Sequence, residues 1–179
     1  MRFTEPLQRG KLLKRYKRFL ADIELENGEM ITAHCPNSGS MKTCWQPGWE
    51  VRVSYHDNAS RKYPYTWEMV HNGQTWIGVN TGIPNRIALD AIRENKIKEL
   101  TGYSQFRREV PYGKNSRIDI FLQNDTETCY VEVKNVTLVE DDGGYYFPDS
   151  VTERGRKHLY ELIDMVKQGH RSVMFYVIQ

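Results

Sequence analysis

The sequence is poor in cysteine and has no long apolar run, and both shortages narrow the class of protein. Its three cysteines, Cys35, Cys44 and Cys129, are an odd number without C-x-x-C spacing, so neither a disulfide framework nor a zinc ribbon is indicated. No apolar stretch approaches the length of a membrane span, and the first residues lack the apolar core of a secretory signal. These features favour a protein of the reducing cytoplasm with no membrane partner.

The sequence also lacks a strong excess of charge, since its net charge is +2. The distribution of charge is more informative, because seven of the first eighteen residues are basic. Basic groups neutralise phosphates and aromatic rings stack on bases, so this segment is a candidate nucleic-acid contact. A solvated basic edge is the alternative, and it is somewhat favoured because terminal basic clusters are common. The candidate residues here are Lys14, Arg15, Tyr16, Arg18 and Phe19.

No internal repeat or low-complexity tract appears, and the patterns divide the chain into two domains. Residues 1–82 are β-rich, and five short strands with tight turns predict a small closed barrel, with the OB-fold as the obvious candidate. Residues 83–179 are ordered as helix, antiparallel hairpin, helix and strand, which predicts an α/β domain. The predicted strands of the barrel are 19–26, 30–35, 50–56, 66–72 and 74–80.

Two helices and a terminal strand are predicted in the second domain. The first helix spans about 86–100, and the second spans about 151–167 with a cap near Asp149 or Ser150. The nearly continuous apolar run over 173–178 predicts a buried strand. The predicted core stripe of the second helix is Leu159, Leu162, Ile163 and Val166.

The hairpin of the second domain holds the most informative residues, Asp119 and Glu132. A two-residue turn at 125–126 pairs residue 119 with 132 and residue 117 with 134. The two carboxylates then face each other with Cβ atoms roughly 5 Å apart. The apolar positions agree with this register, since Ile118 meets Val133 and Ile120 meets Val131.

Facing carboxylates are unfavourable unless a cation lies between them. Mg²⁺ or Mn²⁺ suits such a pair, since a hard divalent ion takes carboxylates together with waters and phosphate oxygens. Arg117 and Lys134 share this face, so the catalytic candidates are Asp119, Glu132, Lys134 and Arg117, with the two acids as metal ligands. That chemistry cuts a phosphodiester. The alternative is a solvated face on which the acids form ion pairs with Lys134 and Arg117, and these residues alone favour neither.

Two further segments are candidate phosphate contacts. The loop 34–41 is dense in turn formers, and Asn37, Ser38 and Ser40 either bind phosphate or serve turn chemistry alone. Near the start of the second predicted helix, Arg154, Lys157 and His158 are slightly favoured as phosphate contacts over a solvated face.

Long stretches of the chain resemble the sugar fermentation stimulation protein family (SfsA). The matching stretches, in chain order, are Leu13-Lys14-Arg15-Tyr16, His34-Cys35-Pro36-Asn37-Ser38-Gly39-Ser40-Met41, Arg108-Glu109-Val110, Ser116-Arg117-Ile118-Asp119, Val131-Glu132-Val133-Lys134-Asn135-Val136-Thr137-Leu138, Phe147-Pro148-Asp149, Val151-Thr152-Glu153-Arg154-Gly155 and Lys157-His158-Leu159.

The resemblance implies a DNA-binding protein with an N-terminal OB-like barrel and a restriction-endonuclease-like domain related to PD-(D/E)xK nucleases. In that pattern Asp119 is the first acidic ligand, Glu132 the second and Lys134 the motif lysine. An upstream helical carboxylate often completes such sites, and either Asp90 or Glu94 fits. Family members usually continue for several dozen residues beyond the position of Gln179, which suggests a C-terminally incomplete domain.

Three functions remain. The favoured one is a DNA-binding protein, acting on single- or double-stranded DNA, with a metal-dependent nuclease-type site. The alternative is a non-catalytic DNA-binding regulator on the same fold, which suits the genetic link with sugar metabolism in the family name. A carbohydrate-processing enzyme is less favoured, because the lysine two residues after Glu132 and the basic surroundings suit phosphate better.

Overall fold

The computed structural model describes residue 3 and residues 6–140, 142–147 and 153–179, with the side chain of Arg154 left out. The chain separates into two compact units. The first consists of the described parts of Arg2–Ile83 and Val136–Pro148 with Ile178–Gln179. The second consists of Pro84–Asn135 and the described part of Asp149–Val177.

Five strands of the first unit close into an OB barrel. The sheet order is β3-β2-β1-β4-β5-β6, and β3 also pairs in parallel with β5 through His34 and Thr66, which closes the circuit over β1 to β5. This confirms the predicted fold class. The strands are β1 (Gln8–Tyr16), β2 (Leu20–Leu25), β3 (Met30–His34), β4 (Glu50–Tyr55), β5 (Tyr65–His71) and β6 (Trp76–Gly78).

The set of barrel strands differs from the predicted set. β1 was not predicted, and β6, which was predicted as a barrel strand, is attached to β5 outside the closed circuit. The inward positions of β1 are Gly10 and Leu12, and a register shift between Leu12 and Lys14 interrupts the alternation. A side chain at position 10 would lie 2.5 Å from a methyl carbon of Ile23, so the inward residue there is glycine. Because one inward position is glycine and several other residues of β1 are basic, the sequence of this strand shows little apolar alternation.

The second unit has a four-stranded sheet of order β12-β9-β8-β7 and two helices. A short pair, β10 with β11, belongs to the first unit. The elements after the barrel are α1 (Ile83–Arg93), a 3-10 turn (Lys98–Leu100), β7 (Gln105–Tyr112), β8 (Ser116–Gln123), β9 (Thr128–Val136), β10 (Leu138–Val139), β11 (Tyr145–Tyr146), α2 (Glu153–Lys167) and β12 (Arg171–Ile178).

The first helix is displaced from its predicted position. α1 begins at Ile83, with Pro84 in its first turn, where a proline has no N–H bond to lose. The helix ends before Asn95, whose φ of 54° lies in the left-handed region. The residues 98–100 that the prediction included form the separate 3-10 turn.

α2 buries a different face from the predicted one. Leu162 and Met165 are buried, but Leu159, Ile163 and Val166 are about half exposed, so only Leu162 of the predicted stripe lies in the core. The helix carries a second apolar stripe, and periodicity alone does not show which of two stripes meets the sheet. The predicted capping residues, 149 and 150, and the predicted first helical residues lie outside the described part of the chain.

β12 confirms the strand predicted over 173–178 and begins two residues earlier, at Arg171. Its side chains are half-buried or exposed instead of fully buried, with Tyr176 and Ile178 exposed. Among the described residues, no helix has both the length and the apolar character needed to cross a membrane.

Candidate functional site

The β8–β9 hairpin keeps the predicted register as far as Ile120, which pairs with Val131. Beyond this pair the ladder changes, because the N–H of Val133 donates to Oδ2 of Asp119 at 2.7 Å. Ile118 and Val133 lie in different core clusters, so the predicted contact between them is wrong. The strands therefore separate at Asp119, and a carboxylate takes the hydrogen bond that a regular ladder would give to a carbonyl.

The strand on the other side of β8 is irregular at the same level. Glu109 of β7 has a φ of 51°, and the β7–β8 ladder includes the pairs on either side of it but not a pair between Glu109 and Asp119. A residue other than glycine in the left-handed region costs about 1–2 kcal/mol. Strained backbone of this kind clusters at functional sites, and here it lies beside the first predicted carboxylate.

Both oxygens of Asp119 accept hydrogen bonds. Oδ1 accepts from Nδ2 of Asn85 at 2.8 Å, and Oδ2 accepts from Val133. Burial raises the pKa of Asp119, the Val133 N–H opposes this increase, and the nearby charge of Glu132 raises the pKa further. The carboxylate is thus fixed in orientation and close enough to Glu132 to feel its charge.

Glu132 is 3% exposed, so it does not lie on a solvated face. Its Oε1 accepts from Nζ of Lys134 at 2.8 Å and lies 2.7 Å from Nδ1 of His158, which carries the proton in such a contact. Its Oε2 is buried and has no partner among the described residues. The ion pair with Lys134 that the alternative interpretation predicted is therefore present. The carboxylate of Glu132 is buried, however, and its Oε2 accepts no hydrogen bond from a described residue.

Arg117, the fourth catalytic candidate, is exposed, and its guanidinium donates to the carbonyl of Glu109 at 3.2 Å. It forms no salt bridge with a described residue. The structure therefore brings Asp119, Glu132 and Lys134 together and leaves Arg117 at the edge of the group.

Two buried polar groups beside this cluster were missed by the sequence analysis. The hydroxyl of Tyr112 and Oε2 of Glu161 are buried without a partner among the described residues. Burial, and then the charges of Glu132, Glu161 and Asp119, raise the pKa of Tyr112. Glu161 lies three residues after His158, a spacing that places both on one side of α2. That spacing is the only sequence signal for its position.

The predicted upstream carboxylate does not complete a metal site. Within the described residues, no group of three or more His, Cys, Asp or Glu side chains is arranged to hold a metal ion. Glu94 is exposed and pairs with Lys96, and Asp90 joins no such group either. α1 instead contributes Asn85, an amide that holds Asp119.

The predicted contacts of the barrel are linked by Arg15. Its guanidinium donates to the carbonyls of Arg18 at 2.6 Å, Asn37 at 2.9 Å and Gly39 at 2.8 Å. It therefore joins the β1–β2 turn to the loop 36–41. Asn37 itself is buried, and its side chain accepts from the N–H of Gly39.

The other barrel candidates divide by exposure. Arg18, Phe19, Ser38 and Ser40 are exposed and accessible to a ligand. Lys14 is also exposed and lies 3.2 Å from Oδ2 of Asp22, whose other oxygen accepts from the hydroxyl of Tyr16.

The predicted phosphate contacts of α2 also divide. Lys157 is exposed and donates to the carbonyl of Lys114 at 2.6 Å, whereas His158 is turned toward Glu132 and only 14% of its side chain is exposed. The side chain of Arg154 lies outside the described part of the structure.

The structure places this protein in the class of two-domain proteins in which a closed OB barrel is followed by an α/β unit. The α/β unit carries two hydrogen-bonded carboxylates and a lysine. Two family models match it: the SfsA N-terminal OB domain over residues 13–79 and the sugar fermentation stimulation protein RE domain over residues 82–179. The chain belongs to the sugar fermentation stimulation protein family, as the resemblance of its motifs indicated.

Similar proteins agree with this assignment. The sugar fermentation stimulation protein homologues of Geotalea uraniireducens and Geotalea daltonii are 55% and 56% identical over 179 residues, which cover 100% of this chain and 77% of each relative. The homologue of a Marinomonas species is 55% identical over 99% of this chain and 70% of its own length. The solved structure of Pyrococcus furiosus SfsA in complex with Ca²⁺ matches with a TM-score of 0.84 at 23% identity, over 98% of this chain and 74% of that chain. This last likeness supports the fold.

Proposed function

We propose that this protein binds DNA and cuts its phosphodiester backbone at a metal-dependent site formed by Asp119, Glu132 and Lys134. The observation that carries the proposal is Glu132, a buried carboxylate with Lys134 and His158 on one oxygen and no partner among the described residues on the other. A buried carboxylate oxygen without a donor is unfavourable, and a cation relieves that cost.

The residues present fit a hard divalent ion such as Mg²⁺ or Mn²⁺, since such an ion accepts one or two carboxylates and keeps waters as its other ligands. Asp119 and Glu132 would hold it, and the Ca²⁺ in the Pyrococcus furiosus relative supports an ion of this class. When bound, the ion would polarise the phosphate and make a water more acidic. Lys134 would position the attacking water, and Arg117 would stabilise the charge of the phosphate.

The barrel would bind the strand through its own exposed groups. Arg18, Phe19, Ser38 and Ser40 are exposed, and Arg15 holds together the turn and the loop that carry them. Cations neutralise phosphates and a ring stacks on a base, which suits single-stranded and double-stranded DNA with little preference for sequence.

A non-catalytic DNA-binding regulator on the same fold is the second candidate. The observation that favours it is the lack, within the described residues, of any group of three side chains arranged to hold a metal. Such a regulator fits the link with sugar fermentation in the family name.

Plasmid and single-stranded DNA, each incubated with Mg²⁺ or Mn²⁺, test the proposal. We expect cleavage by the wild type and a rate about 100-fold lower for Lys134→Met, as when a reacting group in an active site loses its positioning. Lys98→Met, which removes an exposed lysine of the 3-10 turn, is the matched control and should keep the full rate.

Metal binding is measured separately by calorimetry with Mn²⁺. The wild type should bind, and Glu132→Gln should not. The wild type should first show a cooperative thermal unfolding transition, which establishes that it is folded. If this folded protein binds DNA but does not cleave it with either metal, the proposed nuclease is wrong and the non-catalytic regulator is the better assignment.

A further inference from the structure

A cleft of about 750 Å³ lies in the second unit between the β7–β8 turn and α2. Gly113 and Lys114 of the turn form one wall, and Arg156 and Tyr160, one helical turn apart, form the other. Buried Met165 and Glu161 also line it. None of these residues belongs to the group formed by Asp119, Glu132 and Lys134.

Two of the acids that line this cleft, Glu161 and Asp164, have partners among the described residues. Glu161 accepts from the N–H of Lys114 at 2.9 Å and lies 3.7 Å from Nζ of Lys157, and Asp164 pairs with Lys167 at 3.1 Å. Glu153, at the rim, is exposed to water.

In contrast, neither the ammonium group of Lys114 nor the guanidinium of Arg156 has a hydrogen bond or ion pair with a described residue. Within the described residues, two cations of the cleft are therefore available to an anion, whereas Asp164 is paired and Glu161 is bonded through one of its two oxygens.

Tyr160 supplies the second recognition element. Tyr160 is 61% exposed, so its ring is accessible to a ligand. Tyr160 lines the same cleft as Lys114 and Arg156, and this combination of a stacking surface with basic groups is the one that binds unpaired nucleotides. A free anion would use the cations but leave the ring without a role.

We propose that this cleft binds one nucleotide of a single strand, with the base on the ring of Tyr160 and the adjacent phosphate on Lys114 and Arg156. The inference rests on the proposed function, because it names the substrate as an unpaired strand. α2 would then contribute to two sites. Arg156 and Tyr160 would bind the nucleotide, and His158, two residues from each of them, contacts Glu132.

Binding of a fluorescein-labelled 12-nucleotide single strand, measured by anisotropy without divalent ions, tests the proposal. Tyr160→Leu should weaken binding by about 5- to 150-fold, as expected for the loss of one stacked base, and Tyr160→Phe should bind like the wild type. Lys114→Gln and Arg156→Gln should each lower the slope of log affinity against log salt by about 0.7. Tyr176→Leu and Lys98→Gln change an exposed tyrosine and an exposed lysine elsewhere in this unit and should leave binding unchanged.

The proposal that the cleft binds a nucleotide would be wrong if Tyr160→Leu left the affinity unchanged, if the salt slopes were unchanged, or if the control variants lost as much affinity. Displacement of the strand by inorganic phosphate as efficiently as by a nucleoside monophosphate would also overturn it, because the ring would then be unused. The binding assay contains no metal, so its outcome is independent of cleavage. If the protein cleaves DNA but binds the single strand equally well without Tyr160, only the proposal for the cleft is wrong. If strand binding depends on the cleft but no cleavage occurs, only the proposed nuclease activity is wrong.

Discussion

Replacement of Gly113 by alanine should destabilise the α/β unit through a contact that can be traced atom by atom. Gly113 has a φ of 54°, and a Cβ there would lie 2.8 Å from Cγ, Cδ and Oε1 of Glu161. The side chain of Glu161 must shift, and we expect this shift to break its 2.9 Å hydrogen bond from the N–H of Lys114. Alanine therefore adds about 1–2 kcal/mol for the left-handed backbone and about 1.5–3 kcal/mol for the lost bond to a charged group, together about 2.5–5 kcal/mol.

Urea unfolding measures this free energy against a matched glycine. Gly102 has a φ of 84° and nothing within 4 Å of its Cβ direction, so Gly102→Ala should cost only the backbone part, about 1–2 kcal/mol. In a Glu161→Ala background, Gly113→Ala should fall to the same value, which leaves a coupling of about 1.5–3 kcal/mol in the double-mutant cycle. Equal costs for the two glycines in the wild-type background, or additive effects in the cycle, would refute the reasoning.

Three further changes test the site, the barrel and the core. Burial raises the pKa of Asp119, so the folded state binds this carboxyl proton more tightly than the unfolded state and loses stability as the pH rises through the pKa of Asp119. Over that range the melting temperature of the wild type should fall relative to that of Asp119→Asn, which should not cleave DNA, and the opposite trend would contradict the sign. Arg15→Gln removes a guanidinium that donates to four backbone carbonyls, so the free energy of unfolding of the barrel should fall by about 1.5–3 kcal/mol, with faster amide exchange over residues 37–40 and no change in exchange of the α/β unit. Leu162→Ala should cost about 2–5 kcal/mol and Ile163→Ala within about 0.5 kcal/mol in urea unfolding, and equal costs would mean that α2 buries the other stripe.

The parts of the fold that the sequence predicted are those fixed by local patterns. The β8–β9 hairpin has turn residues and alternating apolar positions that agree, and its register was correct as far as Ile120. β1 was missed because Gly10, its inward residue beside Ile23, gives no apolar signal. The buried face of α2 was misassigned because two stripes share one helix and only the tertiary fold selects between them.

In the candidate site, as in the fold, local patterns predicted some of the residues and missed those that depend on tertiary packing. Asp119, Glu132 and Lys134 lie within sixteen residues of one another, so strand alternation was enough to predict that they share a face. Asn85 and His158 reach the two carboxylates from helices on either side of the hairpin in sequence. Such contacts depend on how α1 and α2 pack, and nothing in the local sequence encodes that packing.

The two oxygens of Glu132 differ in their partners, and the proposed metal site would account for the difference. A carboxylate buried only for stability should have donors on both oxygens, because an unfilled buried acceptor costs about 1–3 kcal/mol. Glu132 has two donors on Oε1 and none among the described residues on Oε2. Asp119 shows the same departure from regularity, since its backbone neighbour Glu109 is strained and its side chain interrupts the ladder with Val133. The proposed metal site would account for both costs, because a cation held by Asp119 and Glu132 would give the buried Oε2 of Glu132 a partner.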